Sequence, residues 1–358
     1  MRRALAIAVA VGLATAGAAA VAHAQPKPQA PAEAQPQPAK LVHTTTAMGT
    51  SVMVTIWSDD EAAAAKATDA AFDEIRRLDR MMTTWLPDSE ISRINASAGL
   101  GDKAAVPVSD ETMAVIERAL DVSRQSNGLF DITVGAFSGL WKFDQDMDYT
   151  LPDQAEVKER VKLVNWRDVL VDKKHKTIRL RRKGMKITLG GIAKGYAVDR
   201  MAAILEKAGF SDFIVQAGGD MYVSGTKAGA PWVVGIRDPR GPRDDSFAVA
   251  PVRDHSFSTS GDYERGFVKD GIRYHHILDP RDGEPARKTR SVTIMAKDAF
   301  TADAYSKVLF ILGPTDGLAF AAKLPDFQAV FVDGDNHVTM SPGLEGVVKI
   351  LHPPTPGI

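Results

Sequence analysis

A strand, a pair of glycines and a helix form the first candidate for chemistry in this sequence. Residues 185–189 predict a strand, Gly190 and Gly191 a tight turn, and residues 192–208 a helix. Two residues without a Cβ let a phosphate approach the N–H groups at a helix N-terminus, and Lys194 adds positive charge. The spacing is neither the dinucleotide fingerprint nor the Walker pattern, so a plain connection between strand and helix is the alternative explanation.

Two adjacent histidines are the second candidate. His275 and His276 lie in a stretch that resembles a strand, where neighbouring side chains point to opposite faces. They therefore cannot bind one metal as a pair, and at most one of them faces a site. None of the eight histidines has a spacing such as HExxH, which disfavours a zinc hydrolase. A surface or core histidine is the alternative for His276.

A third candidate is a polar helix face. Asp303, Ser306 and Lys307 stand at i, i+3 and i+4, so their side chains share one side of a helix predicted over residues 301–312. A hard cation can use the Asp303 carboxylate and a hydroxyl, with backbone carbonyls completing an oxygen shell. The alternative is a simple ion pair between Asp303 and its own i+4 lysine, Lys307.

The elements that must position these residues mix strands and helices without a strict βαβ rhythm. A strand over 41–57, interrupted at Met48-Gly49, precedes a helix that Ser58 can cap, and a second helix runs from a Ser109 cap to Asn127-Gly128. This mixture predicts an α+β fold. The first helix carries an apolar face formed by Phe72, Ile75, Leu78 and Met82. Four later segments predict strands, over residues 213–216, 232–236, 292–295 and 329–332.

The composition is that of an ordinary globular protein. The chain has 358 residues, of which 44% are hydrophobic and 25% charged, and its formal net charge is −1. Nucleic-acid binding requires a clearly basic face, so this balance argues against it. A basic run over 173–183 is interleaved with Ile178 and Leu180, which predicts the solvated side of a hairpin.

The N-terminus predicts export. Residues 1–24 combine two arginines, an apolar run rich in Ala and Val, and the small-residue site Ala22-His23-Ala24, as in a cleavable signal peptide. A membrane anchor is the alternative. The sequence contains no Cys, so a lipid-modified N-terminal cysteine is excluded, and we expect a periplasmic protein that begins at Gln25. Residues 25–40 contain five prolines and predict a disordered linker, followed by one domain over 41–358.

Seven blocks of the chain resemble the ApbE-like FAD:protein FMN transferases in order and spacing. This resemblance implies mixed sheets and helices around a central flavin-binding cleft, with FAD bound in it and Mg²⁺ at the pyrophosphate. It also implies transfer of FMN to a Thr or Ser of an exported or membrane redox protein, with release of AMP. The blocks are AMGTSVMV, TTWLPDSEISRIN, GLFDITVGAFSGLW, TLGGIAKGYAVD, AGGDMYVSG, HHILDPRDGEP and ADAYSKVLFILG.

The resemblance also implies roles for individual residues. His276 matches the histidine of the H-I-x-D-P block and is expected to act as the base. Gly191 matches a position that offers a backbone carbonyl to the metal, and Asp303 matches the metal carboxylate. Trp85 stands where a Tyr is common and keeps an aromatic face for stacking. The flavin-nucleotide positions are Met48, Trp85, Leu129, Phe130, Asp131, Thr188, Lys194 and Ile277.

Two residues depart from the family pattern at the expected metal site. Thr188 replaces a usual Asp, and Lys307 replaces a usual Thr. Together these changes make the site more positive by about two charges. The Lys307 ammonium can stand where a cation would otherwise bind, or Ser306 can act as an alternative oxygen ligand for Mg²⁺.

Two other functions stay open at this point. A protein that binds FAD without transferring FMN would keep the flavin residues and release no AMP. A metal-dependent FAD pyrophosphatase would use water in place of the acceptor hydroxyl and would give free FMN. A structural protein without a ligand does not account for seven blocks in family order.

Overall fold

The computed structural model describes residues 37–143 and 146–358, and residues 37–358 form one compact unit. The expected signal peptide over 1–24 and the first part of the expected linker, residues 25–36, lie outside the described residues. The first strand begins at Ala39, so the last two residues of the expected linker belong to the fold. Within the described ranges, no helix has both the length and the apolar character needed to cross a membrane.

Seven α-helices are present in the described residues. The apolar face predicted for α1 is buried, as Phe72 and Ile75 illustrate. Asp60, not Ser58, caps this helix: the Asp60 carboxylate accepts from Ala63 N at 2.9 Å, whereas Ser58 Oγ accepts from Asp60 N. The helices are α1 (Glu61–Met82), α2 (Glu90–Ala96), α3 (Asp110–Gln125), α4 (Gln154–Val161), α5 (Ala193–Lys207), α6 (Ala299–Leu312) and α7 (Pro314–Ala321).

Sixteen strands form one large sheet and three small ones in the described residues. The large sheet has eight strands in the order β1-β2-β6-β7-β10-β13-β14-β15, and every neighbouring pair in it is antiparallel. The strands are β1 (Ala39–Ala47), β2 (Thr50–Ser58), β3 (Val106–Pro107), β4 (Val169–Asp172), β5 (Thr177–Leu180), β6 (Phe213–Ala217), β7 (Asp220–Ser224), β8 (Trp232–Arg237), β9 (Ser246–Val252), β10 (His255–Gly261), β11 (Gly266–Lys269), β12 (Ile272–His275), β13 (Thr289–Ala296), β14 (Phe327–Asp333), β15 (Val338–Met340) and β16 (Lys349–Ile350).

The large sheet is covered on both faces. In β14, Ala329 and Phe331 pack into a core shared with α1, α3, α5 and α6, whereas Val330 and Val332 pack with residues of β8 and β9. Successive side chains of a strand point to opposite faces, so the helices lie on one side and the small sheet β16-β9-β8 on the other. The predicted α+β class is confirmed.

The segment 185–189 is not a strand, contrary to the prediction. Its backbone is satisfied by a side chain, because Asn95 exchanges hydrogen bonds of 2.7 and 2.9 Å with the N–H and C=O of Ile187. Thr188 N donates to the Ile132 carbonyl at 2.8 Å. These partners hold the segment extended without a neighbouring strand. The hairpin β4-β5 matches the predicted basic hairpin, with Ile178 and Leu180 buried.

Helices α5 and α6 pack closely near their N-termini. Gly195 makes this possible, because a Cβ there would lie 2.2 Å from the Ala299 carbonyl oxygen and 2.7 Å from Asp303 Cβ. The carboxylate of Asp199 accepts from the N–H groups of Ala299 and Phe300 at 2.8 and 2.9 Å, which ties the two helices together further along. The crossing brings residues 190–195 beside Asp303 and Lys307.

Candidate active site

A cavity of about 580 Å³ opens between the helices and the end of the large sheet. Its volume falls in the range of small-molecule and cofactor sites. The lining comes from the loop after α1, α2, residues 129–143, residues 186–194, the start of β7, the end of β10 with the segment after it, the segment after β12, and α6. Nine residues predicted for the site lie in this lining: Trp85, Leu129, Phe130, Asp131, Thr188, Gly191, Lys194, His276 and Ile277.

An aromatic and aliphatic wall forms one part of the cavity. Trp85 is 80% exposed, so nearly all of its ring is open to a planar partner. Phe130 and Ile277 are buried and line the interior, with Leu129 beside them. A Cβ at Gly191 would lie 3.2 Å from the Phe130 ring, so the glycine also makes room for the aromatic side chain. This wall suits a flat, apolar ring system.

Asp131 lies in the lining, but its carboxylate is occupied by the protein. Oδ1 accepts from the backbone N and the hydroxyl of Thr133 at 2.8 and 2.6 Å, and Oδ2 accepts from Trp166 N at 2.8 Å. Burial raises the pKa of this carboxyl. Asp131 thus anchors the 3₁₀ turn that follows Phe130, and its evident effect is to position Leu129 and Phe130.

The amides at the start of α5 are mostly paired within the protein. Gly190 N donates to Thr188 Oγ1 at 3.2 Å, the N–H groups of Ile192 and Ala193 donate to the Leu189 carbonyl, and Gly195 N donates to Asp303. The predicted anion site therefore depends on the Lys194 side chain more than on the helix N-terminus.

Two lysines and two aspartates form a buried charged group under the cavity, which we call the charged quartet: Lys194, Asp220, Asp303 and Lys307. Lys194 Nζ lies 2.9 Å from Asp220 Oδ2 and 3.8 Å from Asp303 Oδ1. Lys307 Nζ contacts the same Asp303 Oδ1 and donates to the Asp303 carbonyl at 2.9 Å. Both lysines line the cavity, so two positively charged side chains lie beside any ligand there.

The charges of the quartet shift one another's pKa values. Burial by itself would lower the pKa of Lys194, but the Asp220 and Asp303 carboxylates outweigh it and raise the pKa. Burial opposes ionisation of Asp303, yet Lys194 and Lys307 hold its pKa below the usual value. Burial and the nearby Asp303 raise the pKa of Asp220. The alternative ion pair between Asp303 and Lys307 is thus present.

The residues expected to hold Mg²⁺ do not suit this ion. Asp303 is fully buried and outside the cavity lining, with Oδ2 accepting from Gly195 N at 2.8 Å and Oδ1 in contact with Lys307. Ser306 is also buried, and its Oγ bonds to Ser260 Oγ at 2.8 Å and to the Asp303 carbonyl at 2.7 Å. Mg²⁺ takes oxygen ligands in a nearly octahedral arrangement. Here ammonium groups stand beside the expected carboxylate.

His276 and His275 point in different directions, as predicted. His275 is buried, its Nε2 lies 2.7 Å from the Ala286 carbonyl, and its Nδ1 accepts from Ile277 N at 3.3 Å. His276 lines the cavity, and its Nδ1 lies 3.4 Å from the Arg265 carbonyl. A proton on Nδ1 suits that carbonyl and leaves Nε2 as a proton acceptor.

The environment keeps the His276 imidazole neutral. His276 is exposed toward the cavity. Desolvation by the protein atoms around the ring, together with His275 and the cations Arg265, Lys307 and Lys194, lowers the pKa of His276. A neutral imidazole accepts a proton at physiological pH.

Met48 lies apart from the cavity lining. It stands in the turn between β1 and β2, where its φ is +49°, and its N–H donates to Asp79 Oδ2 at 2.8 Å. The adjacent Gly49 carbonyl lies 3.5 Å from an Arg265 nitrogen, and Arg265 does line the cavity. In the part of the chain that the structure describes, Met48 is connected to the site through its neighbour Gly49.

Sequence reasoning assigned no role to several cavity residues. Asp220 is the clearest case, since it starts β7, is buried, and pairs with Lys194. An acidic residue after Gly218-Gly219 at the start of an apolar strand is the signal that could have found it. Ser260 and Arg265 carry no such local signal.

A protein-family model, described as the ApbE family, matches residues 48–331 of this chain. A curated FAD:protein FMN transferase of Treponema pallidum (strain Nichols) is 34% identical over 321 residues, covering 85% of this chain and 87% of the relative.

Solved structures agree with that match. A crystal structure of the ApbE protein of Thermotoga maritima superposes with a TM-score of 0.78 at 34% identity, covering 86% of this chain and 99% of the other. The apo form of the flavinyl transferase ApbE of Pseudomonas stutzeri superposes with a TM-score of 0.75 at 27% identity, covering 87% of this chain and 97% of the other. With the family model, the relatives and the fold in agreement, this chain belongs to the ApbE family.

Proposed function

We propose that this chain is an FAD:protein FMN transferase. The hydroxyl oxygen of an acceptor Thr or Ser attacks the FMN phosphorus of FAD, the new P–O bond forms, the pyrophosphate bond breaks, and AMP leaves. One observation carries the proposal: His276, Lys194 and Lys307 come from three separate segments and meet at one cavity with an aromatic wall. The relatives that match most of the chain carry the same name.

The residues divide this chemistry among them. Trp85 and Phe130 offer aromatic surface to the flavin, with Ile277 beside them. Lys194 and Lys307 place positive charge at the phosphates, where negative charge develops during transfer. His276, neutral at physiological pH, takes the proton of the attacking hydroxyl. The AMP phosphate leaves as an anion beside the same two ammonium groups.

Mg²⁺ is the cofactor that the family resemblance implies. It enters none of these steps, because the Asp303 carboxylate expected to bind it already contacts Lys307 and Gly195 N. Two other groups of possible ligands lie outside the cavity lining, and each gathers its ligand atoms within 4.8 Å: Asp238, Asp245 and His352, and Asp333, Asp335 and His337.

The cellular place of the reaction is also part of the proposal. The apolar N-terminus and Ala22-His23-Ala24 support export by a cleaved signal peptide, a mature N-terminus at Gln25, and a periplasmic protein. The acceptor is then an exported or membrane redox subunit, and contact with the membrane occurs through that acceptor. N-terminal sequencing of the exported protein tests this: a sequence starting at Met1 would contradict it.

The transfer reaction is tested with purified protein, FAD and an exported respiratory redox subunit. We expect covalent flavin fluorescence on the acceptor in a denaturing gel and an equal amount of AMP. AMP with free FMN would identify an FAD pyrophosphatase. FAD binding without AMP would identify a flavin-binding protein that has lost transfer. A His276→Ala sample is the matched control and should bind FAD without labelling the acceptor.

A further inference from the structure

We propose that the Lys307 ammonium is a cation supplied by the chain itself, which serves the FAD pyrophosphate in place of a bound divalent metal ion. This inference rests on the proposed function, because it specifies how the same cavity neutralises the phosphates. Lys307 then binds the substrate directly, and the reaction does not depend on Mg²⁺.

The position of Lys307 is the first argument. Its Nζ contacts Asp303 Oδ1, and its Cε lies 3.9 Å from where a Cβ would stand on Gly191. Gly191 and Asp303 are the two positions that the family resemblance assigns to the metal. The lysine side chain therefore lies close to both positions that would hold the ion.

The occupancy of Asp303 is the second argument. Both carboxylate oxygens have partners, Gly195 N on Oδ2 and Lys307 Nζ on Oδ1. Lys194 Nζ lies only 3.8 Å from Oδ1. A divalent cation at this carboxylate would have two ammonium groups as close neighbours, and like charges at such distances repel strongly in a buried site. The Asp303 carboxylate therefore holds Lys307 in place and has no oxygen left free to bind a metal ion.

The remaining hydrogen-bonding capacity of Lys307 is the third argument. An ammonium has three N–H donors. Among the described residues, its hydrogen bonds go to two oxygens, Oδ1 and the carbonyl of Asp303. The side chain is 18% exposed and lines the cavity. One donor is thus left to a phosphate oxygen, in the way that phosphate-binding lysines act as point charges.

The test is FAD affinity, measured by calorimetry with chelator or with Mg²⁺, for the wild type and three variants. The wild type should bind FAD equally under both conditions. Lys307→Thr should bind about tenfold more weakly in chelator, the scale for losing one charge-assisted hydrogen bond, and should regain affinity with Mg²⁺. Lys307→Arg should stay independent of Mg²⁺. Lys297→Thr, an exposed charge change just before α6, is the matched control and should behave as wild type.

A second measurement needs no variant. Mn²⁺ affinity of the wild type is measured by electron paramagnetic resonance in the presence of FAD. It should be no higher than the affinity of Mn²⁺ for the protein alone or for FAD alone. The inference is overturned if FAD creates a tighter Mn²⁺ site, or if wild type and Lys307→Thr give superimposable Mg²⁺ titrations. A wild type that binds no FAD under either condition would instead contradict the proposed function.

Discussion

Gly195 N donates a hydrogen bond of 2.8 Å to Asp303 Oδ2, and this contact joins the first turn of α5 to α6 inside the charged quartet. The contact exists because Gly195 has no side chain, so the two helices can approach until the carboxylate reaches the amide. The close packing of the two helices therefore also determines the position of Asp303 between Lys194 and Lys307.

Gly195→Ala tests that relationship. The added methyl would lie 2.2 Å from the Ala299 carbonyl oxygen, so the helices must move apart. We expect a loss of about 1–3 kcal/mol in unfolding free energy, the usual cost of overpacking, measured by chemical denaturation. Gly190→Ala is the matched control, since its Cβ would meet only Thr188 Oγ1 at an ordinary 3.5 Å. Equal stability of the two variants would contradict the close helix contact.

Alanine substitutions of the two adjacent histidines should affect different properties, the transfer rate for His276 and the stability for His275. His276→Ala should reduce transfer by roughly a hundredfold or more, the scale for loss of a general base, while FAD affinity and melting temperature stay near wild type. His275→Ala should lower unfolding free energy by about 1–3 kcal/mol, because the buried Ala286 carbonyl loses its partner. Single-turnover transfer and thermal melts separate the two outcomes. Equal melting temperatures with equal transfer rates would contradict both assignments.

The pH dependence of transfer should reflect the lowered pKa of His276. Partial desolvation by the surrounding protein and the positive charges of Arg265, Lys307 and Lys194 disfavour the imidazolium, so the base stays neutral at pH values where an ordinary histidine is protonated. Protonation removes the base, so the rate falls only as pH drops through the lowered pKa. The acidic limb of the single-turnover rate should therefore lie well below about 6.5, the ordinary histidine value. A limb at the ordinary value would show an unperturbed base.

Trp85 should contribute to flavin affinity through its exposed ring. Trp85→Ala should weaken FAD binding by about tenfold, combining lost apolar contact with lost stacking. Trp85→Tyr keeps an aromatic face and should recover most of the affinity. Both variants should melt like the wild type, since the side chain is 80% exposed. Flavin fluorescence titration measures the affinities, and an unchanged value for Trp85→Ala would place the flavin elsewhere.

Local signals predicted many of the elements correctly. The helix α3 begins after Ser109, whose hydroxyl accepts from Thr112 N at 3.1 Å, and ends just before Asn127-Gly128, as expected from capping. The break at Met48-Gly49 became the turn between β1 and β2. These features depend on residues within a few positions of each other, so sequence alone contains their causes.

Features that depend on distant partners were harder to predict. The segment 185–189 has the composition of a strand, but Asn95, about ninety residues earlier, takes its hydrogen bonds. The pairing of Lys194 with Asp220 likewise requires α5 and β7 to meet. Spacing did place Asp303 and Lys307 on one helix face, yet it left open whether they bind each other or a metal. The structure shows the ion pair, and the approach of α5 brings Gly195 N and Lys194 to Asp303 as further partners.

The charged quartet also constrains which substitutions this site can accumulate. With all four side chains ionised, two positive and two negative charges balance in a buried environment. A neutral residue at position 307 leaves a net charge of −1, which a proton on Asp220 or a cation from the surroundings can offset. Under the role proposed for Lys307, a chain with lysine at this position carries its own counterion and needs no divalent ion beside the pyrophosphate.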